Sequence, residues 1–138
     1  MATQRFPIRL GPKSRPLLRL FGVGGPDDAW AELGADTFEA RFGRFRAATP
    51  LSNVSGWRME GPWRWITAIG VRMSVRHGDI TFGGSHRGGV RLDFLERVRV
   101  GPFRVPALYV TVEDLDGFAA ALTERGIDGV DARTRVVP

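Results

Sequence analysis

The residue types best suited to holding a ligand are concentrated in residues 56–70, GWRMEGPWRWITAIG, where tryptophans and arginines alternate. Trp63, Arg64 and Trp65 are adjacent there, and Arg58 precedes them. Indole rings stack on bases, sugars or peptide groups, and guanidinium groups pair with phosphates or with aromatic faces. This segment is therefore the first candidate for a binding site.

A structural role explains the same segment more simply. Large aromatic side chains are mostly buried for their area. With period-two alternation, Trp57 and Met59 point into the core, while Trp63 and Trp65 pin a Gly-Pro turn. We predict that the segment is mainly structural; if one side chain protrudes to contact a ligand, it is that of Trp63 or Trp65.

A glycine-rich loop at residues 83–89, GGSHRGG, is a second candidate site, with Arg87 inside it. Consecutive backbone N–H groups beside an arginine suit an anion. The loop lacks the Lys-Ser/Thr pair of a phosphate-binding loop and does not open a helix. A flexible hairpin connection is the favoured interpretation.

Catalytic residue types are present but not in a catalytic arrangement. Ser74, His77 and Asp79, and again Ser85 and His86, fall in hairpin sequences without the G-x-S-x-G turn of a serine hydrolase. The chain has no cysteine and only two histidines, which excludes disulfides and thiolate chemistry and leaves no metal-ligand spacing. We predict that the protein is not an enzyme and holds no metal or cofactor.

The charge balance permits anionic partners without identifying one. The formal net charge is +5, and all the basic residues but one lysine are arginines. The arginines are spread along every predicted strand, as solvent-facing positions also require, and no signature of a nucleic-acid-binding module is present. We predict a protein or an anionic surface as partner rather than nucleic acid, and leave a dimer open as the oligomeric state.

Glycine, proline and aspartate divide most of the chain into short segments with period-two alternation, which is typical of antiparallel β structure. Residues 29–33 and 37–42 form a hairpin around Gly34, and residues 50–53 form a helical turn before the next strand. Residues 15–21 form a short covering segment, as a helix or as a strand. The further predicted strands are residues 44–49, 54–60, 71–76, 80–82, 90–95 and 107–112, the last of these following a connection that contains Pro102 and Pro106.

The period changes after the last of these strands. Leu115, Phe118, Ala119 and Leu122 recur at helical spacing, and Asp114 is placed to cap that helix. Arg125 falls in the last turn and Gly126 at the position after it. Asp93, Glu96, Glu113 and Asp114 could also be proposed as paired catalytic carboxylates, but the start of a helix and its dipole explain the last two better.

The order of the motifs resembles an uncharacterised family of actinobacterial proteins. The resemblance covers residues 5–123 and rests on RFGRFRAATPLSNVSGW, GPWRWITAIGVRMSV, DITFGG, GVRLDFLERV and ALYVTVEDLDGFAAAL. It implies a barrel like that of pleckstrin-homology domains and no assigned reaction. Lipid-binding members of that class carry cations in the first hairpin loop, whereas residues 34–36 here carry none, so phosphoinositide recognition is not implied.

We therefore predict one domain over residues 1–138, with an ordered core over 5–128 and a flexible tail over 129–138. Its fold class is mainly β with one C-terminal α-helix, an antiparallel pleckstrin-homology-like barrel of two orthogonal sheets capped by the helix. No apolar run approaches the roughly 18 residues of a transmembrane segment, and a cytoplasmic location is expected. The predicted function is a non-catalytic binding or scaffold domain for a protein, lipid surface or small molecule. The alternatives are an enzyme or carrier with a ligand inside the barrel, and weak nucleic-acid binding through the arginine-rich surface.

Overall fold

The computed structural model describes residues 2–8, 28–60 and 88–132 in full, and residues 69–73 and 80–84 by their backbone. Within those ranges the chain forms one α-helix, α1 (Leu115–Glu124), and a 3-10 turn, Leu51–Asn53. The strands are β1 (Gln4–Pro7), β2 (Ala29–Leu33), β3 (Thr37–Phe42), β4 (Phe45–Pro50), β5 (Val54–Glu60), β6 (Ile69–Met73), β7 (Ile80–Gly84), β8 (Gly89–Val100), β9 (Phe103–Val110) and β10 (Gly129–Asp131).

These strands form two sheets. A four-stranded sheet has the order β1-β2-β3-β4, and a six-stranded sheet has the order β10-β5-β8-β9-β7-β6. Apart from a single bridge between Ile8 and Val112, no ladder joins the sheets in the described ranges, and the barrel is not closed. The mainly β class, the two sheets and the helix near the C-terminus are confirmed, whereas the pleckstrin-homology-like identity stays a prediction.

The six-stranded sheet is not purely antiparallel, contrary to the sequence prediction. Strand β7 pairs with β9 in parallel, and β10 pairs with β5 in parallel. Helix α1 supplies the crossover between β9 and β10, which run in the same direction with β5 and β8 between them. The helix crosses over β8 and β5, with which it is in contact, and the chain then arrives at the far edge of the sheet.

Strand β10 lies in the segment that the sequence analysis assigned to a flexible tail. Residues 129–131 pair with 57–59 of β5, and the Ala132 N–H donates to the Met59 carbonyl at 2.8 Å. Trp57 holds the segment that leads into β10 against β5, because its Nε1–H donates to the Ile127 carbonyl at 3.1 Å. A methyl group on Gly129 would overlap the Trp57 indole, so glycine is required for this close contact. Residues 133–138 lie outside the described residues.

Strands β8 and β9 are longer than predicted and are joined by a tight turn at residues 101–102, with Gly101 at φ +57°. Pro106, predicted in a connection, lies within β9. The register changes here: Asp93 pairs with Ala107, but the next pair along is Val98 with Val105. Residues 94–97 thus bulge opposite Pro106, which has no N–H to donate to a ladder.

The helix confirms the periodicity argument. The Asp114 carboxylate accepts the Gly117 N–H at 2.9 Å, and Gly126 adopts φ +83° after the last turn. Phe118 is fully buried, and its ring centroid lies 5.1 Å from that of Phe6 on β1, so α1 contacts both sheets. The largest side chains that fill the interior are Phe38, Phe42, Phe118, Ile8, Leu33, Met59, Leu92, Leu108 and Leu122. The predicted covering segment, residues 15–21, lies outside the described residues.

Candidate binding groove between the two sheets

A groove runs along the surface where β4 of the smaller sheet meets the distal part of β8. Two contacts set its direction. A methyl group on Gly101 would lie 3.1 Å from Cε1 of Phe45, so the Phe45 ring packs against the β8–β9 turn. At the other end, Asn53 is hydrogen-bonded to Glu96. The two segments therefore run antiparallel to one another, with the groove above the line of contact.

Asn53 holds the bulge of β8 in place. Its Oδ1 accepts the Glu96 N–H at 2.7 Å, and its Nδ2 donates to the Glu96 carbonyl at 2.9 Å. Nδ2 also donates to the Thr49 hydroxyl at 3.0 Å. Together these hydrogen bonds use both N–H donors of the Asn53 amide and one of the two lone pairs of its oxygen. Asn53 is thus a structural support of the groove rather than a group free to bind a ligand.

The groove has a volume of about 470 Å³. Buried Thr49 and Val98 form its floor, and Leu95 is 70% exposed on its wall. A leucine as exposed as this is unremarkable alone, but here it stands beside exposed small apolar residues and charged ones. The lining is Ala48, Thr49, Pro50, Ser52, Asn53, Leu95, Glu96, Arg97, Val98 and Arg99.

Three arginines give this part of the surface a positive character. Arg97 and Arg99 are exposed on either side of buried Val98, and Arg104 lies directly opposite Arg99 in the β8–β9 register. Arg97 donates to the Arg104 carbonyl at 3.4 Å and Arg99 to the Gly101 carbonyl at 3.2 Å. Among the residues that the structure describes, none of the three has a carboxylate within salt-bridge distance. Like charges directly opposite in a sheet repel, so an anion would be stabilised there.

In the other polar cluster of the larger sheet, the side chains form hydrogen bonds and ion pairs with one another. The Glu60 carboxylate accepts the Tyr109 hydroxyl at 2.6 Å and the Arg58 Nε–H at 2.9 Å. Arg91 pairs with Asp93 at 2.8 Å, and its guanidinium lies 5.5 Å from the Tyr109 ring centroid. Arg91 is packed into this half-buried network, with its side chain 22% exposed. The arrangement holds three strands in register rather than presenting groups to a ligand.

The pKa values of this cluster follow from its contacts. The pKa of Tyr109 is raised to about 12, chiefly by burial and also by the hydrogen bond to Glu60 and the charge of that carboxylate, while the hydrogen bond and charge of Arg91 act to lower it. Burial acts to lower the pKa of Arg91, but the hydrogen bonds to Tyr109 and Asp93 outweigh it and raise the pKa overall. The phenol therefore remains neutral and the guanidinium charged at neutral pH.

The predicted site residues are distributed as follows. Trp63, Arg64, Trp65 and Arg87 lie outside the described residues, so their role stays a prediction. Arg58 lies on the exposed side of β5 with its guanidinium engaged by Glu60. The structural interpretation of the neighbouring positions agrees with the fold: Met59 is buried, and half-buried Trp57 docks the chain after α1.

The proposed catalytic carboxylates are not brought together as a pair. Asp93 binds Arg91, Asp114 caps α1, and the backbone of Glu96 is held by Asn53. In the described ranges every buried side-chain nitrogen and oxygen has a hydrogen-bond partner. The serine, histidine and aspartate residues at positions 74–79, 85 and 86 lie outside those ranges.

Sequence reasoning missed the groove, although a signal for it was present. Arg97 and Arg99 alternate with Val98 and Val100, which predicts two cations on one face of a strand. Pro106 marks the place where the partner strand interrupts the ladder. The alternation along β8 does not reveal the opposite wall of the groove, because that wall is β4, which belongs to the smaller sheet.

Comparison with protein-family models, with curated proteins and with solved structures finds no match to this chain. The resemblance to the actinobacterial family and to pleckstrin-homology domains therefore stays a prediction. Of the helices in the described part of the chain, none has the length and apolar character needed to cross a membrane.

Proposed function

We propose that this protein is a non-catalytic binding domain that takes an acidic segment of a partner protein in the groove between β4 and β8. One observation carries the proposal: the groove joins the exposed Leu95 to Arg97 and Arg99, which have no carboxylate partner among the described residues. An apolar anchor beside cations is suited to a peptide that carries both acidic and apolar side chains.

The charge of the groove supports an acidic ligand. Arg97 and Arg99 outnumber the Glu96 carboxylate in the lining, and Arg104 adds a third cation from the opposite strand. A guanidinium group donates several hydrogen bonds in a fixed plane that matches a carboxylate. Arg97 and Arg99 each use one guanidinium donor on a backbone carbonyl, so further donors remain for a ligand.

The composition of the lining favours protein over nucleic acid. Single-stranded nucleic acids are bound by cations together with aromatic platforms on which bases stack. Among the described residues that line this groove, none has an aromatic side chain. Its apolar surface is instead aliphatic, from Ala48, Pro50 and Leu95, which suits a peptide side chain.

Fluorescence anisotropy with a pool of labelled peptides tests the proposal. The pool contains Glu, Ser and Leu in random order, and a matched pool carries Gln in place of Glu. We expect the acidic pool to bind and the Gln pool to bind at least about fivefold more weakly. The double variant Arg97→Gln, Arg99→Gln should lose most of the binding to the acidic pool.

The matched control is Arg5→Gln. Arg5 is exposed on β1, at the edge of the smaller sheet opposite β4, and its replacement removes one positive charge away from the groove, against two in the double variant. Binding to the acidic pool should be retained in that variant. Equal binding of the acidic and Gln pools, or equal losses in the groove variant and in Arg5→Gln, would contradict the proposal.

A further inference from the structure

The spacing of the cations in the groove carries an inference about the sequence of its ligand, which rests on the proposed function. Arg97 and Arg99 lie two residues apart on the same face of β8, on either side of buried Val98. In a strand, side chains two residues apart on one face are separated by about 6.5–7 Å along the chain. Two ligand carboxylates with the same separation can face both guanidinium groups at once.

The cross-strand pair of Arg99 and Arg104 forms the stronger of the two carboxylate-binding positions. Arg99 and Arg104 are directly opposite in the register of β8 and β9. Their guanidinium groups repel one another, and a carboxylate placed between them removes that repulsion while it accepts hydrogen bonds from both. One acidic residue of the ligand is therefore expected over Arg99 and Arg104, and the second over Arg97.

Leu95 lies beyond Arg97, within the bulge, where the two-residue alternation is interrupted because Leu95, Glu96 and Arg97 are all exposed. It is 70% exposed and lines the same groove. The hydrogen bonds of Asn53 to the Glu96 backbone hold the bulge in place. An apolar ligand side chain beyond the second acidic residue would rest against Leu95.

We infer that the groove recognises an extended segment with the pattern acidic-x-acidic followed by an apolar side chain, in either chain direction. An extended ligand places every second side chain on one face, at the same separation as Arg97 and Arg99. A helical ligand repeats one face every three or four residues, so it would carry its two acidic residues at that interval instead.

Two isomeric peptides test the spacing without changing composition, and a third peptide tests the apolar position. The first peptide, Leu-Ser-Glu-Ser-Glu-Ser-Leu, is symmetrical, so its chain direction does not matter. The second, Leu-Ser-Ser-Glu-Glu-Ser-Leu, has the same residues, but its adjacent carboxylates point to opposite faces of an extended chain. The third, Ser-Ser-Glu-Ser-Glu-Ser-Ser, lacks the apolar ends. Each is labelled with fluorescein and titrated with the full chain.

The first peptide should bind about fivefold more tightly than the second and more tightly than the third. Arg104→Gln should reduce the preference for the first peptide over the second, while Arg5→Gln leaves that preference intact. If the two acidic isomers bind equally, the spacing is wrong but the binding function stands. If none of the three binds and the random acidic pool also fails to bind, the function itself is wrong.

Two further probes separate a peptide site from a general anion site. An oligo-dT strand and phosphatidylserine vesicles offer phosphates without a peptide pattern. Both should bind more weakly than the first peptide at the same salt concentration. Tighter binding of either probe, together with loss of that binding in Arg97→Gln, would overturn the inference in favour of nucleic acid or of a membrane surface. A helical peptide with Glu four residues apart that binds better than the first peptide would overturn the extended conformation.

Discussion

The side-chain amide of Asn53 pairs with the backbone of Glu96 as a neighbouring strand would. Its oxygen accepts the Glu96 N–H at 2.7 Å and its nitrogen donates to the Glu96 carbonyl at 2.9 Å, 43 positions further along the chain. This contact fixes the bulge of β8 against the 3-10 turn that ends β4. The position of Leu95 and Arg97 on one wall of the groove therefore depends on the side chain of Asn53, which lies on the opposite wall.

Replacing Asn53 with aspartate should destabilise the protein and impair the groove. The change is nearly isosteric, but it removes both N–H donors and places a carboxylate oxygen against the Glu96 carbonyl. We expect a loss of about 2 kcal/mol in the free energy of unfolding, measured by urea denaturation. Ser52→Ala is the matched control, an exposed neighbour for which we expect a change within about 0.5 kcal/mol. Equal stability of the Asn53→Asp variant and wild type would show that the amide does not support the fold.

Tyr109 should titrate at unusually high pH. Its pKa is raised to about 12 from an ordinary value of 10.0, chiefly by burial. Because the chain has one tyrosine, tyrosinate absorbance reports this residue alone. We expect a midpoint near pH 12 in the folded protein and near pH 10 in denaturant. A single midpoint near pH 10 in both states would contradict the described environment of Tyr109.

The same shift makes a prediction about stability. A pKa raised in the folded state favours the protonated phenol, so its stabilising contribution is complete below about pH 10 and is lost as the pH rises toward about 12. Tyr109→Phe keeps the ring and cannot ionise. The free energy of unfolding of that variant should fall less between pH 10 and pH 12 than that of wild type. An unchanged pH dependence in the Tyr109→Phe variant would show that Tyr109 is not its source.

Arg125 should be sensitive even to a substitution that keeps its charge. Its guanidinium joins the end of α1 to the smaller sheet, since it donates to the carbonyls of Gly34, Leu33, Ala2 and Ala121 and to Oε1 of Gln4. Lysine cannot reach these acceptors in one plane. We expect Arg125→Lys to lower the free energy of unfolding by about 2 kcal/mol, whereas Glu124→Gln, at the exposed neighbouring position, should change it by less than about 0.5 kcal/mol. Equal effects of the two substitutions would contradict the role of Arg125.

Gly129→Ala should displace β10 from the edge of the larger sheet. The added methyl group would overlap the Trp57 indole, whose Nε1–H donates to Ile127. We expect faster amide exchange over residues 129–132 and a shift of tryptophan emission as Trp57 becomes more exposed. Val130→Ala, at a position that is 61% exposed on the same strand, is the control and should leave both signals close to wild type. Unchanged exchange in Gly129→Ala would mean that β10 tolerates the methyl group.

The parts of the fold that could be predicted from the sequence are those whose pattern is local. The hairpin of β2 and β3 follows from period-two alternation around Gly34, and α1 follows from a cap, a helical stripe and a glycine at the end. Strand β10 could not be predicted, because three exposed residues contain no periodicity and pair only after α1 has crossed the sheet. Parallel pairing of this kind depends on tertiary packing rather than on local propensity.

The candidate groove depends on tertiary structure to a greater extent than the individual strands and the helix do. Alternation of Arg97 and Arg99 with buried valines is visible in the sequence, but it is equally typical of any solvent-facing strand. The groove exists because Pro106 interrupts one ladder and because Asn53, in the 3-10 turn after β4, binds the resulting bulge. A partner 43 positions away cannot be read from local spacing. The tryptophan segment was the more conspicuous feature because its residues are contiguous.

Mapping a bound acidic peptide on the protein tests the binding proposal most directly. Uniformly 15N-labelled protein is titrated with Leu-Ser-Glu-Ser-Glu-Ser-Leu, and the amide resonances are followed. We expect saturable shifts at residues 48–53 and 95–99, and little change at β1 or α1. Saturable shifts confined to other parts of the chain, or the absence of any saturable shift, would contradict the assignment of this groove as the binding site.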